Sequence, residues 1–409
     1  MMNTIQKEKR FIMSSPYGFL DVCYAQCQQA KRIKLMPHLH TPRILLEYSM
    51  LRLSKIGCAG KKNVEAWQEL FEDTLKNISR IEPEVPFRGE CTRMAWPFHP
   101  GLAWLGARDK DAELIAQMDQ AAEELCEKAH RNEKGLFDDP LIPGGLFTEI
   151  LAMTVPFLAW AGKSTGKSRY TEEAVFQMKG YMEMLYDPGT RLWHPGFIPG
   201  PSDKSMWLWW QGSNQVSHIC RTAVHPVGVF PGYWGKGAGY ALFALSELVF
   251  ELEESNPAKA GLLSAREEML ASLLPYQDEN GVFHQVLNEF SSYEETSGSA
   301  WILYAMGRAI KRGSVDRARF MAPYRKGLAG IARYLTFDGS ILNGSPSQIC
   351  PGGRATAVDY ALLKSGRNEP GAFAPVLLAL QQAAQIRNHT DLMKDDWSEI
   401  IENNGGIAQ

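Results

Sequence analysis

The chain has 409 residues, 45% of them hydrophobic, which is enough for one large domain or two average ones. Its formal net charge of -3 leaves no global basic field, so neither nucleic acid nor a membrane surface is expected as a partner. The N-terminal segment MMNTIQKEKRFIMSSPYGF lacks the continuous apolar run of a secretory signal. No stretch of the sequence has the length and apolar character expected of a membrane span. Composition therefore predicts a cytoplasmic globular protein.

Seven cysteines are present, an odd number with irregular spacing. Cys23 and Cys27 lie four residues apart, but no second pair of Cys or His residues completes a zinc-binding pattern. We therefore expect reduced thiols, mostly packed in the core of a cytosolic protein.

Hydrophobic residues recur along most of the chain with the spacing of amphipathic helices. In the segment 112–129, apolar side chains occur at i, i+3, i+4 and i+7, which places them on one helix face. Alternating strand patterns are rare and short, as in 281–287, so the chain is predicted to be all-α. In chain order, the predicted helices are 43–56, 64–80, 112–129, 146–162, 170–185, 238–253, 258–274, 297–311, 317–335 and 371–386.

The predicted helices come in pairs joined by Gly- and Pro-rich loops such as GLFDDPLIPGG and HPVGVFPGYWGKGAG. Pairing at intervals of about 50 residues indicates stacked helical hairpins, arranged as an open solenoid or a closed toroid. Solenoid repeats usually resemble one another in sequence, and these do not. Long aromatic loops on alternate connections favour a toroid, an (α/α)6 barrel. We expect a single catalytic domain over 1–409, with 1–35 as an N-terminal extension or first helix.

The segment IPGGLFTEILAMTVPFLAWAG carries one charged residue in its opening helical turn, Glu149. Among apolar neighbours a carboxylate loses solvation, which tends to raise its pKa and suits general acid catalysis near neutral pH. The alternative is that Glu149 is only an acid at a helix N-terminus, where the helix dipole favours it. Pro156 is expected to kink this helix.

Residues 193–240 combine aromatic and cationic side chains in Gly- and Pro-rich loops. Flat sugar faces pack on aromatic rings and cations bind carboxylates, so this composition is typical of a carbohydrate site. Packing in the core is the alternative role for such rings. Trp207 and Trp210 would share a face if that piece is helical. The segment contains Trp193, Trp207, Trp209, Trp210, Tyr233, Trp234 and Tyr240, interleaved with His194, Arg221, His225 and Lys236.

A third segment, QDENGVFHQVLNEFSSYEETSGSAW, has a Gly turn, a short extended piece and then a helix entered through Glu294 and Glu295. Acids at a helix N-terminus are favoured structurally, so neither glutamate requires a catalytic role.

Together these segments resemble glycoside hydrolase families 88 and 105, the unsaturated glucuronyl and rhamnogalacturonyl hydrolases. The family pattern Y-P-N-Q-M-W-L-D-G-L-Y-M-A-x-P-F-L-A aligns with I-P-G-G-L-F-T-E-I-L-A-M-T-V-P-F-L-A, which puts Glu149 at the position of the catalytic Asp. The patterns Q-D-x-S-G-L-W-H-Q-V-L-D and S-Y-x-E-T-S-x-S-A match 277–288 and 292–300. The match over 277–300 is the most specific part of the resemblance.

Shorter motifs extend the resemblance from about residue 140 to 385. The family's H-G-W-type turn is similar to the segment that starts at His194. Its W-A-R-G-N-G-W motif resembles WGKGAGY, with Trp234, Lys236 and Tyr240 in the Trp, Arg and Trp positions. The segment PGAFAPVLLA, from Pro370, resembles the family's H-G-x-G-A-F-L-L-A.

The sequence departs from the family at three positions. Glu149 replaces an Asp, and Lys236 replaces an Arg. The second change replaces a planar guanidinium, which can donate two parallel hydrogen bonds, with an ammonium that acts as a point charge. The family's earlier Asp, in an N-x-D-x-I-N-P-G-like segment, corresponds to MAWPFHPG here, where Trp96 takes the Asp position and His99 the Asn position. The family's partner carboxylate is therefore missing from this segment.

The resemblance implies removal of a terminal 4,5-unsaturated uronic acid from an oligosaccharide by hydration of its double bond, without metal or organic cofactor. It implies that Glu149 is the acid/base, and that His194 and Lys236 contact hydroxyls or the uronate carboxylate. It implies ring platforms at Trp207, Trp210 and Trp234, and further substrate contacts at Tyr240 and His99. We expect a monomer or homodimer.

Two other functions remain open. The same barrel could hydrolyse a saturated uronoside or epimerise a sugar, and an epimerase would need a pair of bases, for which His194, His225 and His284 are candidates. The chain could also be a carbohydrate-binding relative that has lost catalysis but kept the aromatic cleft.

Overall fold

The computed structural model describes residues 18–32, 40–59, 63–81, 96–140, 142–199, 208–211, 217–220, 228–336, 338–346 and 357–388. Helices dominate these stretches, and the strands are two to four residues long. In chain order the helices are α1 (Gly18–Arg32), α2 (His40–Ala59), α3 (Val64–Ile81), α4 (Pro100–Asp109), α5 (Ala112–Lys128), α6 (Thr148–Thr165), α7 (Ser168–Leu185), α8 (Gly235–Glu251), α9 (Lys259–Leu273), α10 (Thr296–Lys311), α11 (Arg317–Ala332), α12 (Ala357–Ala361) and α13 (Pro370–Asn388).

Within the described residues, six helices form a closed inner ring. Helix α2 contacts α4, and the contacts continue through α6, α8 and α10 to α13, which packs back against α2. A second layer of helices surrounds this ring, because α3, α5, α7, α9 and α11 each pack on the inner helix that precedes them in the chain, and α1 packs on α13. Two concentric layers of alternating helices are the (α/α)6 barrel that the sequence predicts.

The two layers differ in how much of each helix is buried. Every residue from 148 to 162 in α6, from 235 to 249 in α8 and from 296 to 310 in α10 is buried. The outer helix α7 instead buries a single stripe that starts at Tyr170 and continues through Ala174, Met178 and Tyr181. A helix that is apolar on all sides is stable only when other elements surround it, whereas an amphipathic helix needs a packing partner on one side only. The hydrophobic pattern of each helix therefore determines the layer in which it lies.

Short antiparallel strands join the loops at one end of the ring. β1 (Leu146–Phe147) pairs with β2 (Gly196–Ile198), which pairs with β5 (Gly228–Val229). β1 leads directly into α6 and β5 ends shortly before α8, so the two helices begin on the same face, which we call the entrance face. The remaining pairs are β3 (Leu208–Gln211) with β4 (Ser217–Cys220), and β6 (Phe283–His284) with β7 (Glu294–Glu295).

The structure extends the entrance face to two more inner helices. Trp234, just before α8, forms an isolated β-bridge with Val286, in the segment that leads into α10. The first residue of α10, Thr296, donates its backbone N–H to the carbonyl of Asn343 at 3.0 Å, which brings in the segment that precedes α13. The loops that precede α6, α8, α10 and α13 therefore meet at one end of the barrel.

The structure bears on three local points of the sequence analysis. Trp210 lies in the strand β3, so the condition for a helix face shared with Trp207 is not met, and Trp207 itself lies outside the described residues. Helix α4 was not predicted, because its ten residues are too few for a clear periodic pattern. Helix α6 continues past Pro156 to Thr165. None of the helices in the described ranges combines the length and apolar character needed to cross a membrane.

Candidate active site

The beginnings of α6, α8 and α10 bring a set of buried charged residues together at the entrance face. Glu149 lies in the first turn of α6 with 7% of its surface exposed, Lys236 follows the first residue of α8 with 0%, and Glu295 immediately precedes α10 with 1%. The ammonium of Lys236 interacts electrostatically with Glu295, Glu369 and Glu149. The sequence separates these groups by up to 220 positions, and the closed ring makes them neighbours.

Glycines allow the helix starts to approach so closely. A Cβ at Gly298 in α10 would lie 2.7 Å from both the backbone N of Lys236 and Oε2 of Glu295. A Cβ at Gly237 in α8 would lie 3.3 Å from Oγ1 of Thr148, the first residue of α6. The backbone of Lys236 leaves no room for a side chain at Gly298, and the side chains of Pro195, Thr148 and Trp234 leave little at Gly237.

Glu295 is a structural carboxylate that caps α10. Its Oε1 accepts hydrogen bonds from the backbone N–H of Ser297 at 2.6 Å and of Ser345 at 2.8 Å, and also from the Ser297 hydroxyl at 2.5 Å. Its Oε2 accepts from the backbone N–H of Gly298 at 2.5 Å. Both oxygens are occupied by hydrogen-bond donors, so neither is free to exchange a proton with a substrate.

Lys236 is a buried cation surrounded by carboxylates. Its Nζ donates to the carbonyl oxygen of Ser345 at 3.2 Å. Desolvation lowers the pKa of the ammonium, and the negative charges of Glu295, Glu369 and Glu149 oppose that effect. Because none of its surface is exposed, direct contact with a sugar would require the segment at Ser345 to move.

Two of the aromatic residues predicted to contact the substrate lie close to these charges. The Trp234 ring is fully buried, stacks on Tyr360 with 5.7 Å between centroids, and donates its Nε1–H to Oγ of Ser345 at 3.2 Å. Tyr240 lies edge-on to Trp234 at 6.4 Å and is 6% exposed. Burial raises the pKa of Tyr240, and the charges of Glu149 and Glu295 raise it further. In the described structure, Trp234 is therefore a wall behind the site and presents no open face.

His194 lies on the segment that runs beside the start of α6. The neighbouring Pro195 accepts a hydrogen bond at 3.1 Å from the backbone N–H of Thr148. Nδ1 of His194 lies 2.6 Å from the carbonyl oxygen of Phe230, which can only accept, so Nδ1 carries the proton. Desolvation lowers the pKa of His194, opposed by the Phe230 carbonyl and by Asp187. A half-buried neutral imidazole leaves Nε2 as a hydrogen-bond acceptor or base.

A short hydrogen-bond chain fixes the orientation of the His194 ring. The ring stacks on Tyr233 with 4.9 Å between centroids. The Tyr233 hydroxyl donates to Asp187 at 2.5 Å, and Asp187 also accepts from the backbone N–H of Gly189 at 2.8 Å and from the hydroxyl of Thr190 at 2.8 Å. The first of these bonds contributes most to lowering the pKa of Asp187 to about 2.

His99 caps α4 and contacts a carboxylate that the sequence analysis did not select. Its Nδ1 accepts from the backbone N–H of Gly101 at 3.0 Å, so its Nε2 carries the proton and donates to Oε2 of Glu47 at 3.3 Å. Glu47 lies on α2, is 8% exposed, and also accepts from Nε of Arg43 at 3.1 Å. The sequence feature that could have identified Glu47 is its charge inside the apolar run ILLEYSML of a predicted helix.

His284, one of the bases considered for an epimerase, is held on both ring nitrogens. Its Nδ1 lies 2.5 Å from the carbonyl oxygen of Ser292, and its Nε2 lies 3.3 Å from Oδ2 of Asp278. The bond to Asp278 is the main cause of the raised pKa of His284. A doubly donating imidazolium between two acceptors is a poor base, so this residue stabilises the hairpin that leads to Glu295.

Other predicted positions cannot be assigned to the site. Trp207 and His225 lie outside the described residues, and for Trp210 only its backbone place in β3 opposite His218 is described. A cavity of about 600 Å³ lies elsewhere, between α9, the loop after α7 and the start of α11. Its walls include Arg191, Glu267 and Tyr276, and none of the predicted site residues. In the described ranges, no three His, Cys, Asp or Glu side chains form a potential metal site.

Comparison with known proteins identifies the class. The family model for Glycosyl Hydrolase Family 88 matches residues 100–385, and the chain belongs to this glycoside hydrolase family. It is 24% identical over 200 residues to the unsaturated rhamnogalacturonyl hydrolase YesR of Bacillus subtilis. That alignment covers 47% of this chain and 50% of YesR, so the chain matches about half the length of this relative.

Solved structures share the fold. A possible family 105 member from Salmonella enterica superposes with a TM-score of 0.69 at 18% identity, over 94% of this chain and 95% of that one. The unsaturated glucuronyl hydrolase of Bacillus sp. GL1 superposes with a TM-score of 0.63 at 16% identity, over 88% of this chain and 94% of that one. These superpositions confirm the (α/α)6 barrel, and the family-model match confirms the family resemblance drawn from the sequence motifs.

Proposed function

We propose that this glycoside hydrolase removes a terminal 4,5-unsaturated uronic acid from oligosaccharides produced by polysaccharide lyases. The observation that carries the proposal is the position of Glu149, a buried carboxylate in the first turn of α6 at the family's catalytic position, next to Lys236 and Tyr240. The names of the relatives, which include an unsaturated rhamnogalacturonyl hydrolase and an unsaturated glucuronyl hydrolase, support the substrate class.

In the proposed reaction Glu149 acts first as an acid and then as a base. Its carboxyl group gives a proton to C4 of the unsaturated ring, and a water molecule adds at C5 and returns a proton to the carboxylate. The product is a hemiketal, which opens to a ketone and releases the remaining sugar as an alcohol. The double bond and one water molecule are consumed, and Glu149 ends in its starting protonation state.

The surrounding residues support this chemistry through charge and orientation. Nε2 of His194 is available to accept a hydrogen bond from a sugar hydroxyl or from the attacking water. Lys236 contributes a fixed positive charge that attracts the uronate carboxylate, although its Nζ is bonded to Ser345 in the described structure. Trp207, Trp210 and His99 remain proposed substrate contacts, and Trp234 and Tyr240 form a wall of the site. We propose a cytoplasmic enzyme that acts as a monomer or homodimer.

The site supports epimerisation less well than hydration. An epimerase needs two bases on opposite faces of one carbon, and of its three candidates His284 already has a partner on each ring nitrogen, while His225 lies outside the described residues. A carbohydrate-binding protein without catalysis is the remaining alternative. It predicts that oligosaccharides bind to the wild-type protein and are not converted.

The direct test is incubation with a panel of lyase-generated unsaturated disaccharides that differ in the uronic acid and in the attached sugar. Loss of the ultraviolet absorbance of the conjugated double bond, together with release of the second sugar, is the expected result. A matched saturated disaccharide should be left intact. Cleavage of the saturated compound alone would identify a conventional uronosidase, and binding of all compounds without conversion would contradict the proposed enzyme activity.

A further inference from the structure

A second buried charged cluster lies farther along the inner helices, away from the entrance face. We call it the base cluster, and it is built on the later turns of three inner helices. Arg52 on α2 donates to the Tyr304 hydroxyl on α10 at 3.2 Å, and Tyr304 donates to Oε1 of Glu247 on α8 at 2.6 Å. The members of the base cluster are Tyr48, Arg52, Glu247, Glu251, Tyr304 and Arg308.

One edge of the Arg308 guanidinium makes hydrogen bonds, and the other edge has no hydrogen-bond partner in the described structure. Its Nη1 donates to the Tyr304 hydroxyl at 3.1 Å and lies 3.3 Å from Oε1 of Glu247. Its Nε and Nη2 are buried and have no hydrogen-bond partner in the described structure. These two nitrogens point their N–H groups in the same direction, which is the side-on fork that binds an anion through two parallel bonds.

The open fork is shielded from solvent. Arg308 is only 7% exposed, and the ring of Phe250 covers its guanidinium at 3.9 Å. Buried donors without partners are rare in proteins, because leaving a buried N–H unpaired is unfavourable, and more so when the group is charged. Two of them lie side by side on the Arg308 guanidinium, where a single acceptor would satisfy both.

The charge balance around the fork is positive. Arg52, Arg308 and Arg266 are all buried, and Glu247 is the buried carboxylate bonded among them. Arg266 also has an unpartnered Nε. Desolvation, and to a smaller extent repulsion from Arg308, lowers the pKa of Arg266 to about 10. Desolvation, and to a smaller extent the negative charge of Glu247, raises the pKa of the nearby Glu251 to about 7. At or below neutral pH the positive charges therefore exceed the negative ones.

We propose that the side-on fork of Arg308 binds a small monovalent inorganic anion of the chloride class. Such an anion accepts both free N–H groups and offsets the excess positive charge. Water would accept the hydrogen bonds but leave the charge uncompensated. The site is independent of the sugar chemistry at the entrance face, and its role is to stabilise the later turns of α8 and α10 against each other.

The site should bind its anion more tightly as pH falls through 7. Protonation of Glu251 removes a negative charge that competes with the anion. Four other charged groups act electrostatically on Glu251. They are Glu247, Arg308, Lys163 and Arg52.

Thermal unfolding tests the proposal with chloride as the probe. The midpoint of the wild-type protein should rise by about 1–3 °C when sodium gluconate is replaced by sodium chloride at equal ionic strength, and more at pH 6 than at pH 8. Arg308→Lys keeps the charge but removes the fork, and should lose this chloride response. Arg312→Gln is the matched control, because this exposed guanidinium lies over the same Phe250 ring, 4.1 Å away. It should retain the response.

A diffraction experiment on the wild-type protein keeps the test decisive if the Arg308 variant fails to fold. Crystals soaked in sodium bromide should show an anomalous peak within hydrogen-bond distance of Nε and Nη2 of Arg308. A water molecule at that position, or no density there, would overturn the proposal. An equal chloride response in the wild-type and Arg308→Lys proteins would overturn it as well.

Discussion

Ser345 lies between a buried carboxylate and a buried ammonium, because its backbone N–H donates to Glu295 at 2.8 Å and its carbonyl accepts from Lys236 at 3.2 Å. One residue of the segment before α13 thus connects the cap of α10 to the start of α8. The geometry of the candidate site depends on this connection, since the charge of Glu295 also acts on Tyr240 and Lys236 also interacts with Glu149.

We predict that Glu295→Gln destabilises the protein by about 3 kcal/mol, because a buried amide cannot accept at both positions and Lys236 loses a compensating charge. Urea-induced unfolding measures the change. Glu279→Gln is the control, as this exposed acid lies on the same hairpin, and we expect it to change stability by less than about 0.5 kcal/mol. Equal effects of the two substitutions would contradict the structural role given to Glu295.

Glu149→Gln should lower kcat by about 10²–10⁴-fold, since it removes the titrating proton while keeping the side-chain shape. The thermal midpoint should stay close to that of the wild-type protein. Glu149→Asp restores the family's residue but shortens its reach, and we expect weak activity. Assays on an unsaturated disaccharide measure both variants. Near wild-type turnover by the Gln variant would show that Glu149 is only an acid at a helix N-terminus.

The pair of His284 and Asp278 should make stability depend on pH. A raised histidine pKa means that the charged form is favoured in the folded state, so the contribution is full below pH 6.5 and is lost as pH rises through the higher folded pKa. We predict that His284→Gln destabilises the protein more at pH 5.5 than at pH 8.5 in urea unfolding. A pH-independent difference would mean that the ring acts only through packing.

Gly298→Ala should disrupt the entrance face. Its Cβ would lie 2.7 Å from the backbone N of Lys236, so the starts of α8 and α10 must separate. We expect a loss of several-fold in activity and about 2–4 kcal/mol in stability. Gly261→Ala on α9 is the control, because no atom lies within 4 Å of its Cβ, and the substitution should stabilise by about 0.5–1 kcal/mol. Similar outcomes for the two variants would contradict the close helix approach.

Hydrophobic periodicity was sufficient to predict most helices to within a few residues. The predicted segment 297–311 corresponds to α10, and 170–185 corresponds to α7, because long stretches of regular apolar spacing favour one secondary structure strongly. The strand around Trp210 was missed because a short aromatic run is compatible with either structure. Family motifs placed Glu149, Lys236 and Trp234 on the segments that meet at the entrance face.

The sequence by itself determined the helical class, the pairing of helices and the carboxylate at the start of α6, since these depend on local spacing and on motifs. Only the tertiary structure decided what each side chain contacts. It revealed that Glu295 is a cap, that Lys236 is bonded to Ser345, and that Glu47 lies beside His99. Ring closure brings residues from distant turns to within hydrogen-bond distance, and the burial and charge that result are properties of the assembled barrel that no local pattern encodes.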